Sequence, residues 1–392
     1  MMSPPSQKNT VTLAIRRIGL VTSLGEGAVT VCAAARAGLS RSRLLDEFPV
    51  WNSQTCELEL TSGHPVDRVT RGFEGVGRLL RLGGAALDDL LAGVDVGALG
   101  RTALIVTVRS DGLFSRSLIA PWPDAPPVAP KFRERVLQDV AERQANLSAR
   151  LLPRLALSAG LDLAAHRSRL IFGGEAGFVT AVEAAAELLA SGTADSCVVG
   201  GIDTQLEAES LSALHRLGML KTPDQPNGRI PGEGAGFVLL TSPARPSTTP
   251  DRPLGILRTW ASARERSEEW EAGARPRGEA LAASLEEVLA TVPARERPDV
   301  VISDLTGEDT RAFDWANAAL RLRSRLGFAA AREWIPALAF GAIGAASGPA
   351  AACMACRGLA RGYAGPHGVV AWLSSEDGTR AAFTIGPAEN VA

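Results

Sequence analysis

The fold is decided by residues 169–201, RLIFGGEAGFVTAVEAAAELLASGTADSCVVGG. Arg169 to Phe172 is a short apolar run suited to a strand, Gly173-Gly174 supplies a turn, and Ala176 to Ala190 follows as a helix of small and apolar residues. Ser191-Gly192 stops that helix, and Ser196 to Val199 forms a second strand ending in Gly200-Gly201. The helix is polar only at Thr180, Glu183 and Glu187, one narrow stripe. It therefore has to be covered on nearly every side, inside a layered α/β fold.

On the N-terminal side, Val11 to Ile18 reads as a strand that turns through Val21-Thr22-Ser23-Leu24-Gly25 into a helix from Val29 to Ala37, stopped by Gly38. A helix from Phe73 to Leu91 and a buried strand from Thr102 to Val108 follow. Pro121 to Pro130 reads as a surface loop and Lys131 to Leu151 as an exposed, charge-laced helix. On the other side, Ser242 to Pro253 is rich in proline, serine and threonine and separates a second half. There the alternation repeats, with helix Ala280 to Val292, strand Val300 to Ser303 and helix Thr310 to Leu322. Helix Ala350 to Ala360 and strands Val369 to Ser374 and Arg380 to Ile385 close the chain. The expected organisation is one α/β protein of two similar halves, 1–245 and 254–392, with 242–253 as the linker.

The 392 residues, 46% hydrophobic and 21% charged, are enough for a large core and exclude a disordered or fibrous chain. A formal net charge of −2 with scattered arginines gives no basic face for nucleic acid or an anionic membrane. Five cysteines, an odd number lying mostly in apolar segments, give no disulfide framework and fit a reducing cytoplasm. Met1 to Thr10 lacks the order of a signal peptide. Trp334 to Cys356 carries no charge and spaces Gly344 and Gly348 like a membrane-helix pair, but Pro336, Gly341, Ser347 and Pro349 interrupt it. A buried loop feeding a core helix is the expectation there, not a membrane span.

Several segments in consistent order resemble the β-ketoacyl synthases of the thiolase superfamily. Arg17 to Gly25 is similar to that family's opening strand and its G-x-x-T-x-x-G turn. Gly173 to Gly201 resembles the segment that carries its nucleophile. The likeness continues through Leu211-Ser212-Ala213-Leu214 and Leu217-Gly218-Met219-Leu220 to Pro231-Gly232-Glu233-Gly234-Ala235-Gly236, a specific run. Gly344-Ala345-Ala346-Ser347-Gly348 looks like the glycine-alanine turn after the second catalytic histidine. The stretch between Asp111 and Leu151 is the least matched. The resemblance implies a thiolase-like layered αβαβα fold, a dimer that pairs central strands across a two-fold axis, and a helix N-terminus whose amides face a developing oxyanion.

The family's chemistry needs a cysteine that takes an acyl group as thioester and two histidines that assist decarboxylation. Carried over position by position, the cysteine falls on Glu175, the first histidine on Asp304 in Val301-Ile302-Ser303-Asp304-Leu305-Thr306, and the second on Gly341. A carboxylate at 175 cannot form a useful thioester and repels a malonyl group. The family's phenylalanine-glycine gate has no counterpart in Ser374 to Ala381, and the loop before Pro231 is shortened. Nucleophile and proton-handling groups act as a unit, so replacement of all three points to no condensation chemistry and no catalytic residue.

Other candidates are weaker. Cys353 and Cys356 form a C-x-x-C with no second ligand pair, which fits core packing better than a metal. Of the histidines, His215 reads as buried, and His64, His166 and His367 as surface or loop residues. Glu175 and Asp304 could converge as an acid and base pair. Arg264 to Glu269 reads as a solvated helix face. The sequence thus predicts an inactive, cytoplasmic ketosynthase-like protein without cofactor or metal, homodimeric, acting as an adaptor of the kind encoded beside type VI secretion effectors and their loading factors. The alternative is a chain-length-factor-like subunit that pairs with a ketosynthase or meets an acyl carrier protein. A third reading is an acyltransferase with altered chemistry at Glu175 and Asp304.

Overall fold

The computed structural model describes residues 11–119, 128–161, 167–243, 252–265, 276–330 and 332–388. Two five-stranded units lie side by side in one sheet. The first unit comprises β1 (Leu13–Thr22), β5 (Thr102–Val108), β6 (Arg169–Phe172), β7 (Ser196–Thr204) and β8 (Glu233–Thr241). Its spatial order is β6-β5-β7-β8-β1, with β5 parallel to β6 and β7, and β8 antiparallel to β7 and β1. The second unit comprises β9 (Gly255–Arg264), β10 (Val300–Ile302), β11 (Arg332–Trp334), β12 (Val369–Ser374) and β13 (Thr379–Gly386). Its order β11-β10-β12-β13-β9 repeats the same sequence of parallel and antiparallel pairs. The units meet where β1 pairs antiparallel with β9, Leu13 opposite Leu257.

Burial sorts the helices into layers. Helix α6 (Gly177–Ala190) exposes Thr180, Glu183, Glu187 and Ala190 and buries the rest, as its narrow polar stripe requires. It packs with α11 (Ser347–Ala360) in the largest core cluster, which takes in residues from both strand units. Gly348 makes this possible, because a Cβ there would stand 2.5 Å from that of Phe178. Helices α3 (Gly75–Leu91) and α5 (Pro130–Ser158) cover the first unit, while α8 (Glu279–Ala290) and α9 (Asp309–Leu326) cover the second, each pair over its own core. Helical, sheet and helical layers therefore alternate. The remaining elements are short: strand β2 (Gly25–Glu26), the hairpin β3 (Arg43–Asn52) and β4 (Glu57–Gly63), and helices α1 (Ala28–Arg36), α2 (Asp67–Thr70), α4 (Gly112–Ile119), α7 (Ala208–Arg216) and α10 (Ala337–Phe340).

Most expected elements are present with ends shifted by a few residues, and the largest shifts lengthen α5 to Ser158 and β7 to Thr204. Pro121 to Pro127 and most of the linker, 244–251, lie outside the described residues. Two expectations are corrected. Arg264 ends strand β9 rather than lying on a helix face, and 266–269 fall outside the described residues. The hairpin β3-β4 replaces what the sequence left unassigned, since its solvent face carries Leu44, Trp51 and Leu58 and hides the strand alternation. No helix among the described residues is long and apolar enough to cross a membrane, and Gly341 to Ala346 is buried as expected.

Candidate functional site

The two carboxylates singled out from the sequence lie on facing units of the fold. Glu175 sits in the turn between β6 and α6, after Gly174 with φ +58°, and Asp304 follows the end of β10. They are 5% and 8% exposed, so each needs a partner. Arg311, from the first turn of α9, supplies it for both: Nη2 donates to Glu175 Oε1 at 2.8 Å and Nη1 to Asp304 Oδ2 at 2.5 Å. Asp304 Oδ2 also accepts from the Ser374 amide at 3.0 Å.

The network extends beyond this pair. Arg311 Nε lies 3.3 Å from Glu308 Oε2, and Nη2 donates to Glu376 at 3.3 Å. Arg229 makes a two-pronged contact with Glu308 at 2.9 Å for each bond and also pairs with Glu376. Four carboxylates thus face two guanidiniums in a buried space, and the proton balance follows. Burial pushes Asp304 up to about 7, Arg311 opposes that, and the charge of Glu175 adds to it. Burial would also raise Glu376, but Arg229 and Arg311 outweigh it and hold that carboxyl at about 2. Burial alone would weaken the hold of both arginines on their protons, yet the surrounding carboxylates raise both well above the ordinary range.

Little space remains. The cavity beside Asp304, bounded by Thr306, Phe340 and Gly341, holds about 20 Å³, and one against Arg311 and Glu376 about 10 Å³. Each is room for roughly one water. The amide of Ala176, at the start of α6, donates to Ser375 Oγ at 2.8 Å, and that hydroxyl donates to Gly173 O at 2.8 Å. The segment Ser374 to Glu376 thereby closes over the turn and occupies an amide that would otherwise point into the site.

The sequence model of the β-ketoacyl synthase N-terminal domain matches residues 176–244. A structure of the ishigamide ketosynthase/chain length factor superposes with a TM-score of 0.70 over 96% of this chain and 99% of that one, at 19% identity. The fold is the thiolase-like fold of the ketosynthases. A type II polyketide synthase acyl-carrier protein complexed with its hexaketide-bound ketosynthase gives 0.69 over 97% and 100% of the chains, at 13% identity. The ketosynthase from module 6 of the bacillaene synthase of Bacillus subtilis 168 gives 0.69 over 95% and 72%, also at 13% identity. No curated protein matches the sequence.

On this ketosynthase fold, Glu175 and Asp304 come together through Arg311, and Gly341 lines the same cavity as Asp304. Gly341 has φ +72°, and a Cβ on it would stand 2.7 Å from His64 Cδ2. His64 is 1% exposed, with Nδ1 3.4 Å from Ser23 Oγ, so the expectation of a surface or loop residue is corrected. A histidine from the first half of the chain thus fills the space beside Gly341. Burial lowers its pKa to about 4. His215 is corrected the other way, since it is exposed at the end of α7, while His166 lies outside the described residues. Cys353 and Cys356 are buried in α11 as core residues. Sequence reasoning missed Arg311, Arg229, Glu308 and Glu376, because charged residues on helix α9 and in loops carry no periodic mark of burial.

Proposed function

We propose that this protein is a non-condensing ketosynthase-fold subunit that works through a protein partner, as a chain-length factor works beside a ketosynthase. The observation that carries the reading is the Arg311 bridge between Glu175 and Asp304, which fills the place of nucleophile and first histidine with a closed ion network. An acyl thioester has neither a sulfur to form on nor room to lie in, given a cavity of about 20 Å³. Replacement of Cys-His-His by Glu175, Asp304 and Gly341 is part of this reading, and with it goes the absence of a cofactor. The acid and base reading of Glu175 and Asp304 is disfavoured, because Arg311 ties up both carboxylates.

Between the two partner readings, the structural relatives support the second. One is a ketosynthase/chain length factor and another is a ketosynthase with its acyl-carrier protein, whereas no observation here favours a secretion effector. Pairing would use β6, which among the described residues is bonded on one side only, to β5, and so offers a free edge to a second ketosynthase-fold chain. A cytoplasmic setting fits the free thiols. The test is affinity purification of the tagged protein from its own cells, with identification of what survives a stringent wash. A ketosynthase with an intact cysteine, in equal amount, supports the proposal; a homodimer alone, or a secretion effector, overturns it.

A further inference from the structure

A second, larger cleft lies away from the ion network, between α1, the β11-α10 segment and α11. Its volume is about 420 Å³, within the usual range for small-molecule sites. Leu39, Trp334, Ile335, Leu338, Met354 and Tyr363 line it, so the wall is aliphatic and aromatic. Leu338 and Leu39 stand 73% and 56% exposed, an unusual cost for leucines at the mouth of a cleft.

Arginines predominate around the cleft, although Asp89 also acts on Cys32 in its wall. Arg36 lines it and lies 3.9 Å over the ring of Tyr363. Arg332 Nη1 donates to the Tyr363 carbonyl at 2.7 Å, and Arg357 and Arg361 are close enough to act on the Tyr363 hydroxyl electrostatically. Among the described residues, none of these four arginines forms an ion pair with a carboxylate. An apolar wall under a rim of arginines that form no ion pair selects a molecule with an apolar tail and an anionic head. The wall has few groups to read a nucleobase, and the face of Tyr363 that could stack on one is covered by Arg36.

We propose that this cleft binds a fatty carboxylate, with the chain laid along Trp334, Leu338 and Met354 and the head among Arg36, Arg357 and Arg361. Its occupation is independent of the ion network at Glu175.

Isothermal titration with laurate, kept below its micelle concentration, tests the assignment. Wild-type protein is expected to give saturable binding at one site, with at least tenfold weaker binding of the cationic dodecyltrimethylammonium. L338E, which puts an anion at the mouth, and R36E/R361E, which reverses the rim, are each expected to weaken laurate at least tenfold. Leu338, Arg36 and Arg361 are exposed, and unchanged thermal melts would confirm that these variants fold. As a second reading, laurate is expected to change the tryptophan fluorescence, and W334F is expected to remove most of that change. Absence of saturable binding, equal affinity for the cationic amphiphile, or full affinity in both charge variants overturns the proposal.

Discussion

Arg311 Nη2 donates to Glu175 Oε1 at 2.8 Å, joining the turn before α6 to the first turn of α9. Both side chains are about 5% exposed, so the contact gains strength from low dielectric but costs desolvation. Removing the cation is worse than removing one anion, because it strips Glu175 and Asp304 of their shared partner and leaves Glu308 and Glu376 to Arg229 alone. Arg311→Met is expected to lose about 3–5 kcal/mol of stability. Glu175→Gln, which keeps a hydrogen-bond acceptor, is expected to lose roughly 1–3 kcal/mol. Urea unfolding of the two variants checks the order.

His64 and Gly341 are expected to couple. Gly341→Ala forces an L-residue to φ +72° and brings its Cβ to 2.7 Å from His64 Cδ2 and 2.9 Å from Ile230 O, a cost of at least about 2 kcal/mol. In the double variant with His64→Ala the first clash disappears, and the two changes together should cost less than their sum by about 1 kcal/mol. Strict additivity would mean that the two residues do not touch. Gly341→His, which puts a far larger side chain into the same space, is expected to prevent folding.

Stability should depend on pH through Asp304 with a definite sign. Burial raises its pKa from an ordinary 3.8 to about 7, with Arg311 opposing the shift and Glu175 adding to it. The folded state therefore holds the proton more tightly, and this contribution is full at low pH and lost as pH climbs through about 7. Asp304→Asn removes that dependence. The stability of wild type relative to Asp304→Asn should fall between about pH 4 and 7 and stay level above. Glu376 acts oppositely: burial is outweighed by Arg229 and Arg311, and the stability from its low pKa is lost as pH falls from 4.5 to about 2.

Thiol labelling should separate the cysteines sharply. Cys56, in the turn between β3 and β4, is exposed, while Cys32, Cys197, Cys353 and Cys356 are buried. Burial also pushes Cys32 and Cys197 up to about 12, which suppresses the reactive thiolate. Iodoacetamide is expected to add once to the native protein and five times after denaturation, counted by intact mass. Rapid labelling at Cys353 or Cys356 would contradict their placement in the core.

The sequence discloses the scaffold better than the site. The apolar face of α6 and the glycines around it are local signals, and they locate the turn at Glu175 and the strand before it. Asp304 and Gly341 are found by their distance from strand and turn features that the fold preserves. Arg311 is not visible in the sequence, since it lies in a helix with three other arginines, of which Arg321 and Arg325 pair with carboxylates at the surface. Its burial depends on contacts 136 residues away in the chain. His64 was misread for the same reason: nothing near it in sequence announces that Gly341 leaves a space for its ring.

The central claim, that this chain carries no acyl group, is tested most directly by intact-protein mass spectrometry after incubation with acyl-carrier-protein and coenzyme A thioesters. The chain is to be assayed alone and with its copurified partner. The account predicts that its mass is unchanged in both cases and that any acyl adduct appears on the partner. An adduct on this chain that disappears in Glu175→Gln would contradict it.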